Sequence, residues 1–206
     1  MKKTILKIEA SILIAIIICC VFNINSFSQQ CDSIRGKMLR MHVIANSDSE
    51  EDQSLKLEVR DAVLSAGKEI FDGSITSKEA IEKISPHIDM LEQTALKVIK
   101  DNGFDYNVKI TLQKEYFNTR AYDDLTFPAG QYTALKVVLG EGKGKNWWCV
   151  MFPPLCVPAA DGIEANKNTT DYLSENGEKI INSGDKYIVK FKLLELYEEL
   201  RNKLKN

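Results

Sequence analysis

The chain has 206 residues, 44% of them hydrophobic and 27% charged, which is ordinary globular composition and enough length for one sizeable core. Lysine and arginine together number 27 against 29 acidic residues, for a net charge of −2. That balance removes the broad electrostatic attraction on which nucleic-acid and anionic-membrane binders depend.

The amino terminus differs in kind from the rest. Lys2, Lys3 and Lys7 precede an uninterrupted apolar run from Ile12 to Phe22, and Ser26-Phe27-Ser28 offers small residues at the two positions a signal peptidase reads. The pattern predicts a secretory signal over residues 1–28, with membrane contact through that segment. At 1.5 Å per residue the 11-residue run covers roughly half of a ~30 Å hydrocarbon core, which argues against a permanent span, although an uncleaved anchor is the alternative. Ile18 before Cys19 is bulkier than a lipoprotein site accepts. Export would place Cys149 and Cys156 outside the reducing cytosol, with Pro153 and Pro154 between them to turn the chain. A bridge there would contribute about 2.5 kcal/mol in the chain-entropy account, the alternative being two buried thiols. Cys31 is left over.

Residues 29–37 read as a short polar tether. From Met38, alternation of Leu39, Met41, Val43 and Ala45 with Arg40, His42 and Ile44 predicts a strand that Asn46 ends. Ser47, three residues before Glu50, has the spacing of a capping box, and Leu55, Val59, Ala62, Val63, Ala66 and Ile70 then recur at helical spacing, predicting a helix from Glu50 to Ile70. Asp72-Gly73 breaks it, and Thr76 with Glu79 repeats the capping signature. Ser85 and Pro86 predict a new helix over 86–101, with Ile88, Leu91, Ala95 and Val98 on its buried stripe and Gly103 as its stop. Tyr106, Val108, Ile110 and Leu112 alternate with polar residues as a half-buried strand, followed by a loop through Asp123-Asp124 to Gly130.

Tyr132 to Leu139 reads as a further strand, and the glycine-rich residues 140–145 as a hairpin connection into a strand that carries Trp147 and Trp148. Residues 158–185, rich in Asn, Gly, Thr and Ser, read as a loop or linker. Tyr187, Val189 and Phe191 alternate as a last strand, and Leu193, Leu196, Tyr197, Leu200 and Leu204 then give a short amphipathic helix over the remainder of 186–206. Strands segregated from helices in this way predict an α+β fold, a two-layer domain with an antiparallel or mixed sheet covered by helices.

No constellation for catalysis stands out. Residues 140–144 resemble a phosphate-cradling loop, but such loops lead into a helix and this one leads into a strand. Asp48, Glu50, Glu51 and Asp52 complement the dipole of a helix start and lack the glycine and terminal glutamate of a calcium loop. Only His42 and His87 are available to a thiol enzyme, so His42 with Cys149 is the least poor catalytic pair. Two histidines and scattered cysteines show no zinc spacing, and nothing calls for a cofactor or a small-molecule substrate.

The binding reading centres on Gly142 to Cys156. Successive strand residues point to opposite faces, so Trp147, Cys149 and Met151 should share one side and Trp148, Val150 and Phe152 the other. Either the strand is covered on both faces or one face awaits a partner. Trp148 and Trp147, extended by Phe127 and Tyr132, are the candidate partner-binding residues, because tryptophan buries a large rigid area and keeps a polar N–H.

LRMHVIANSDS at 39–49, QSLKLEVRDAV at 53–63 and FPAGQYTALKVVLGEGKGKNWWCVMFPPLC at 127–156 resemble the stage II sporulation protein R family of endospore-forming bacteria, a likeness covering about residues 38–157. The resemblance implies a non-enzymatic intercellular signal. Such a protein is made in the forespore, exported into the space between the two membranes, and activates a membrane-embedded aspartic protease of the mother cell that processes pro-sigma-E. The competing expectations are an extracytoplasmic enzyme acting on cell wall through His42 and Cys149, and a structural module kept on the membrane by an uncleaved leader.

Overall fold

The computed structural model describes residues 2–122, 125–154, 172–182 and 184–205. Its elements in chain order are α1 (Lys2–Gly36), β1 (Leu39–Ile44), α2 (Glu50–Phe71), α3 (Ser77–Ile84), a 3-10 turn at Ser85–His87, α4 (Ile88–Asp101), β2 (Val108–Phe117), β3 (Arg120–Tyr122), β4 (Leu125–Phe127), β5 (Gly130–Leu139), β6 (Asn146–Phe152), α5 (Glu175–Asn182), a 3-10 turn at Gly184–Tyr187, and α6 (Ile188–Lys205). The fold is α+β with a mixed sheet packed by helices, preceded by an apolar helix. Two compact units divide the chain: Arg35–Tyr116 with Gln131–Ser174, and Met1–Ile34 with Phe117–Gly130 and Glu175–Asn206.

The first unit holds the four-stranded sheet, in the order β2-β5-β1-β6. β1 runs parallel to β5 and antiparallel to β6. Leu39, Met41 and Val43 of β1 join Leu135 and Val137 of β5 on the face covered by helices. Leu55, Val59 and Val63 of α2, Ala80 and Ile84 of α3, and Leu91, Ala95 and Ile99 of α4 complete that core. Each set recurs at three- or four-residue spacing, which keeps it on one side of its helix.

Several local expectations are corrected. Ser49, not Ser47, caps α2, its Oγ accepting from the Asp52 N–H at 3.2 Å. Thr76 does cap α3, accepting from the Glu79 N–H, while Glu79 Oε2 accepts from the Ile75 N–H. Pro86 lies in the 3-10 turn, so α4 begins at Ile88 and Ser85 gives no side-chain cap. Gly103, at φ +80°, lies just beyond the end of α4. The stretch after β2 that reads as a loop contains the β3–β4 hairpin.

The largest correction concerns residues 140–145, which are not a hairpin. β1 lies between β5 and β6, so the segment arches over the end of β1 to reach the strand beyond. Its glycines follow from that path. The Gly144 N–H donates to the Ala45 carbonyl at 2.9 Å and the Lys143 N–H to the Asn46 carbonyl at 3.1 Å. A Cβ on Gly144 would collide with the Ser47 carbonyl, and one on Gly140 with the Asn46 side chain.

β6 is an edge strand rather than a central one. Its register against β1 shifts between Leu39 and Arg40, with Leu39 opposite Phe152 and Arg40 opposite Val150. Met151 is the extra residue of a bulge, so alternation fails there and Phe152 enters the helix-covered core beside Met151. Phe152 meets Phe71 edge to face at 5.8 Å.

In the second unit, Phe27, Cys31 and Ile34 near the end of α1 are buried. The Phe27 ring stacks on Tyr187 at 5.7 Å and meets Phe191 edge to face at 5.5 Å. Residues 187–192, whose alternation predicts a strand, are helical from Ile188 onward. Phe191, Leu194 and Glu198 form the buried face of α6, a three-and-four spacing that six alternating residues alone do not reveal. α1 includes a stretch, Lys7–Gly36, long and apolar enough to cross a membrane, a profile that signal sequences share. The helix continues on both sides of the Ile12–Phe22 run, and an 18-residue window of it is apolar enough for a span where that 11-residue run by itself covers roughly half of a ~30 Å hydrocarbon core.

Candidate functional site

The tryptophan strand and the end of β1 form one continuous arrangement. Trp147 points to the helix side, half-buried, with the Arg60 guanidinium 4.4 Å from its ring centroid. Its indole Nε1 is buried without a hydrogen-bond partner. Trp148 lies on the opposite face, half-buried, its ring stacked on His42 at 3.5 Å and 13°. The two indoles are therefore split between faces as strand alternation requires.

The face bearing Trp148 is polar and buried. His42 Nδ1 lies 2.9 Å from Glu115 Oε1, and Nε2 lies 2.7 Å from Asn146 Oδ1. Lys136 Nζ donates to the same Glu115 oxygen at 3.0 Å. Arg40, on the same face of β1, donates from Nε to the Cys149 carbonyl at 2.9 Å, and its guanidinium lies 5.0 Å from the Tyr132 ring centroid. The sequence alternation Leu-Arg-Met-His-Val resembles a strand with one wet face, but here the polar residues are paired and enclosed.

Two of the four candidate contact residues are not on the surface. Phe127 is 1% exposed and Tyr132 fully buried, so neither presents area to a partner in this structure. Tyr132 shares the face of the sheet that carries Arg40 and His42, which are also buried. His42 and Cys149 do not form a catalytic pair. Cys149 stands opposite Met41 on the core face, whereas His42 stands opposite Trp148 on the other. Cys149 is buried, and Cys156 lies outside the described residues, so the proposed bridge is not described. Among the described residues no cluster of three or more His, Cys, Asp or Glu could hold a metal ion.

Beside the arching loop lies a polar hub that the sequence reading reduced to a helix start. The buried Asp52 carboxylate accepts from Asn46 Nδ2 at 2.9 Å and Ser47 Oγ at 2.5 Å on one oxygen, and from Tyr106 OH at 2.7 Å on the other. Burial alone would raise the Asp52 carboxyl, but the hydrogen bonds from Ser47, Asn46 and Tyr106 outweigh it and hold it below the usual carboxylate range. Burial, then the Asp52 hydrogen bond and charge, push the Tyr106 phenol well above its ordinary value. Asn46 also accepts from the Glu141 N–H at 3.0 Å, and Asp48 from the Lys145 N–H at 2.7 Å. Lys56 donates to the Lys145 carbonyl at 3.2 Å, with burial pushing its ammonium down and the Asp48 charge opposing that shift. The detectable signal was the pairing of an Asn-Ser-Asp-Ser run with glycines at every second position of a distant loop. The arrangement makes a rigid surface: His42 and Asp52 both have their hydrogen-bonding atoms engaged by neighbours.

The family model described as stage II sporulation protein R matches residues 35–161, which include β1, the Asp52 hub, the arching loop and the tryptophan strand. The chain is 38% identical over 141 residues to stage II sporulation protein R of Bacillus subtilis (strain 168), an alignment covering 67% of this chain and 62% of that protein. The match thus spans less than two thirds of the relative's length. No solved structure matches.

Proposed function

The chain belongs to the stage II sporulation protein R family, and on that premise we propose that it is an exported sporulation signal, one that activates a membrane-embedded aspartic protease of the mother cell and so promotes processing of pro-sigma-E. The observation that carries the proposal is the family match across 35–161, the stretch in which the Asp52 hub fixes the loop that leads into Trp148. An apolar amino-terminal helix suits delivery from the forespore into the space between the membranes. The activator acts by binding the active arrangement of its receptor better than the inactive one, with no chemistry of its own.

The contact surface in this proposal is the outer part of Trp148 together with the exposed tip at Glu141 and Lys143, which pair at 2.6 Å. A Cys149–Cys156 bridge, formed after export, would hold the chain that leaves β6. The test is pro-sigma-E cleavage in non-sporulating cells that carry the protease, with and without this protein at matched exported levels. Cleavage that depends on the wild-type chain and is lost in Trp148→Ala but kept in Trp148→Phe, which preserves an aromatic stack on His42, supports the reading. Cleavage independent of this protein, with protease competence shown separately, overturns it.

A further inference from the structure

We propose that α6 is an interfacial helix that lies on the bilayer surface entered by α1, with its outer apolar stripe in the headgroup layer. α6 has two apolar faces. The inner one, Phe191 and Leu194 with Glu198 beside them, is buried. The outer one consists of Val189, Leu193, Leu196 and Tyr197, with Val189 71% and Leu196 60% exposed. At ~100° per residue these four positions fall within an arc of about 100°, roughly opposite the buried face. Exposed Lys190 and Lys192 flank the arc on its two sides. An apolar stripe bordered by lysines and bearing a tyrosine is the pattern of a helix that lies in a membrane interface, where lysine stems reach back to water and tyrosine sits at headgroup depth.

The position of α6 beside α1 selects the bilayer as the occupant. The exposed apolar side chains of α1 run from Ile5 to Phe22, the last being 70% exposed. Phe27, one and a half turns further on, is 4% exposed and packs against Tyr187 and Phe191. Five residues of helix rise about 7.5 Å, so α6 crosses α1 within a headgroup layer's depth of the end of the apolar run. Lys190 Nζ lies 5.5 Å from the Phe27 ring centroid, at that same level. Between the two helices opens a cleft of about 200 Å³ lined by Asn23, Ile24, Phe27, Lys190 and Leu193. An apolar cleft under a lysine suits the upper part of a lipid, its chain inside and its phosphate at the ammonium. Insertion of α1 as far as Phe22 therefore brings the outer face of α6 to the membrane without any further movement.

The test uses the full chain reconstituted in vesicles of phosphatidylglycerol and phosphatidylcholine. Leu196→Cys and, separately, Glu199→Cys are labelled with a membrane-impermeant maleimide, and the modified peptide is quantified by mass spectrometry so that native cysteines do not interfere. The expected result is labelling of position 196 at least about tenfold slower than position 199, equivalent to about 1.4 kcal/mol, and unchanged when the protein is diluted in excess lipid. Val189→Cys repeats the measurement at a second outer position, should Leu196→Cys fail to fold. Equal labelling at 196 and 199 overturns the proposal. Protection that fades on dilution in lipid also overturns it, because the stripe would then be covered by a second copy.

Discussion

Removing the Asp52 carboxylate should destabilise the sheet unit more than any other single change at the end of β1. Asp52 receives three side-chain donors, from Asn46, Ser47 and Tyr106. A hydrogen bond to a charged group contributes about 1.5–3 kcal/mol, and a donor left with partial access to water loses less than one fully enclosed. Asn46, Ser47 and Tyr106 are all half-buried, so Tyr106→Phe should cost about 1.5 kcal/mol and Asp52→Ala about 3–4 kcal/mol. The folded carboxyl titrates below its unfolded value of about 3.9, so its contribution is complete above that pH and is lost as the pH falls through the folded value. Tyr106→Phe removes one of the lowering interactions, so the variant is less stable at neutral pH and loses less between about pH 5 and pH 2. Asp52→Asn abolishes that part of the pH dependence. The assay is urea unfolding of the detergent-solubilised chain, followed by fluorescence of Trp147 and Trp148, at a series of pH values. A cost below about 1 kcal/mol for Asp52→Ala, or identical acid profiles for wild type and Tyr106→Phe, would refute the reasoning.

Gly144→Ala should cost about 2–3 kcal/mol in the same assay, because its Cβ meets the Ser47 backbone carbonyl, which cannot swing away. Gly67→Ala in α2 should be nearly neutral, since its Cβ would overlap the flexible terminal methyl of Met151, with Ile84 and Phe71 at ordinary contact distance, and alanine regains about 0.8–1 kcal/mol of helix propensity. Equal costs at the two glycines would remove the argument that the loop is shaped by close backbone approach. His42→Phe keeps a ring against Trp148 but leaves Glu115 paired with Lys136 alone and Asn146 to solvent, and should cost about 1–2 kcal/mol. Adding Glu115→Gln should recover part of that loss, read as a coupling energy of about 1 kcal/mol or more in a double-mutant cycle.

The elements legible in the sequence were those with long, unambiguous periods. α2 and α4 have whole turns of apolar spacing, and β1 keeps its alternation from end to end. Residues 187–192 offered only three alternating positions, and Tyr187 and Phe191 are equally one helical turn apart. The glycine-rich loop was misread because its length does not discriminate. Two strand spacings are about 10 Å, a distance six residues cross easily, so a hairpin and an arch over one strand need similar chain. What separates them is the purpose of the glycines. Gly140 and Gly142 are left-handed, as a hairpin turn would also require, and Gly144 alone is set apart by its nearness to the Ser47 backbone. Phe127 and Tyr132 were misplaced for a different reason. Alternation says which residues share a face, and nothing local says that Phe127 and Tyr132 are buried.

A series of contacts ties β1 and the start of α2 to the loop and β6. Asp52 fixes Asn46, and the Asn46 carbonyl and side chain fix the loop at Lys143 and Glu141. The loop delivers Asn146 to the start of β6, Asn146 holds one nitrogen of His42, and the His42 ring stacks on Trp148. Each link is a hydrogen bond or a ring contact between residues distant in sequence, so the series sets the orientation of Trp148 from a carboxylate in α2. A surface tryptophan on an unsupported edge strand would sample several rotamers, and a partner would have to order it on binding, at a cost of about 0.5–1.5 kcal/mol for the side chain alone. Held by His42 from one side, Trp148 has already lost that freedom when the domain folds. Under the proposed function, the polar hub would bear on recognition without touching a partner, and its loss is expected to weaken pro-sigma-E cleavage even in molecules that remain folded.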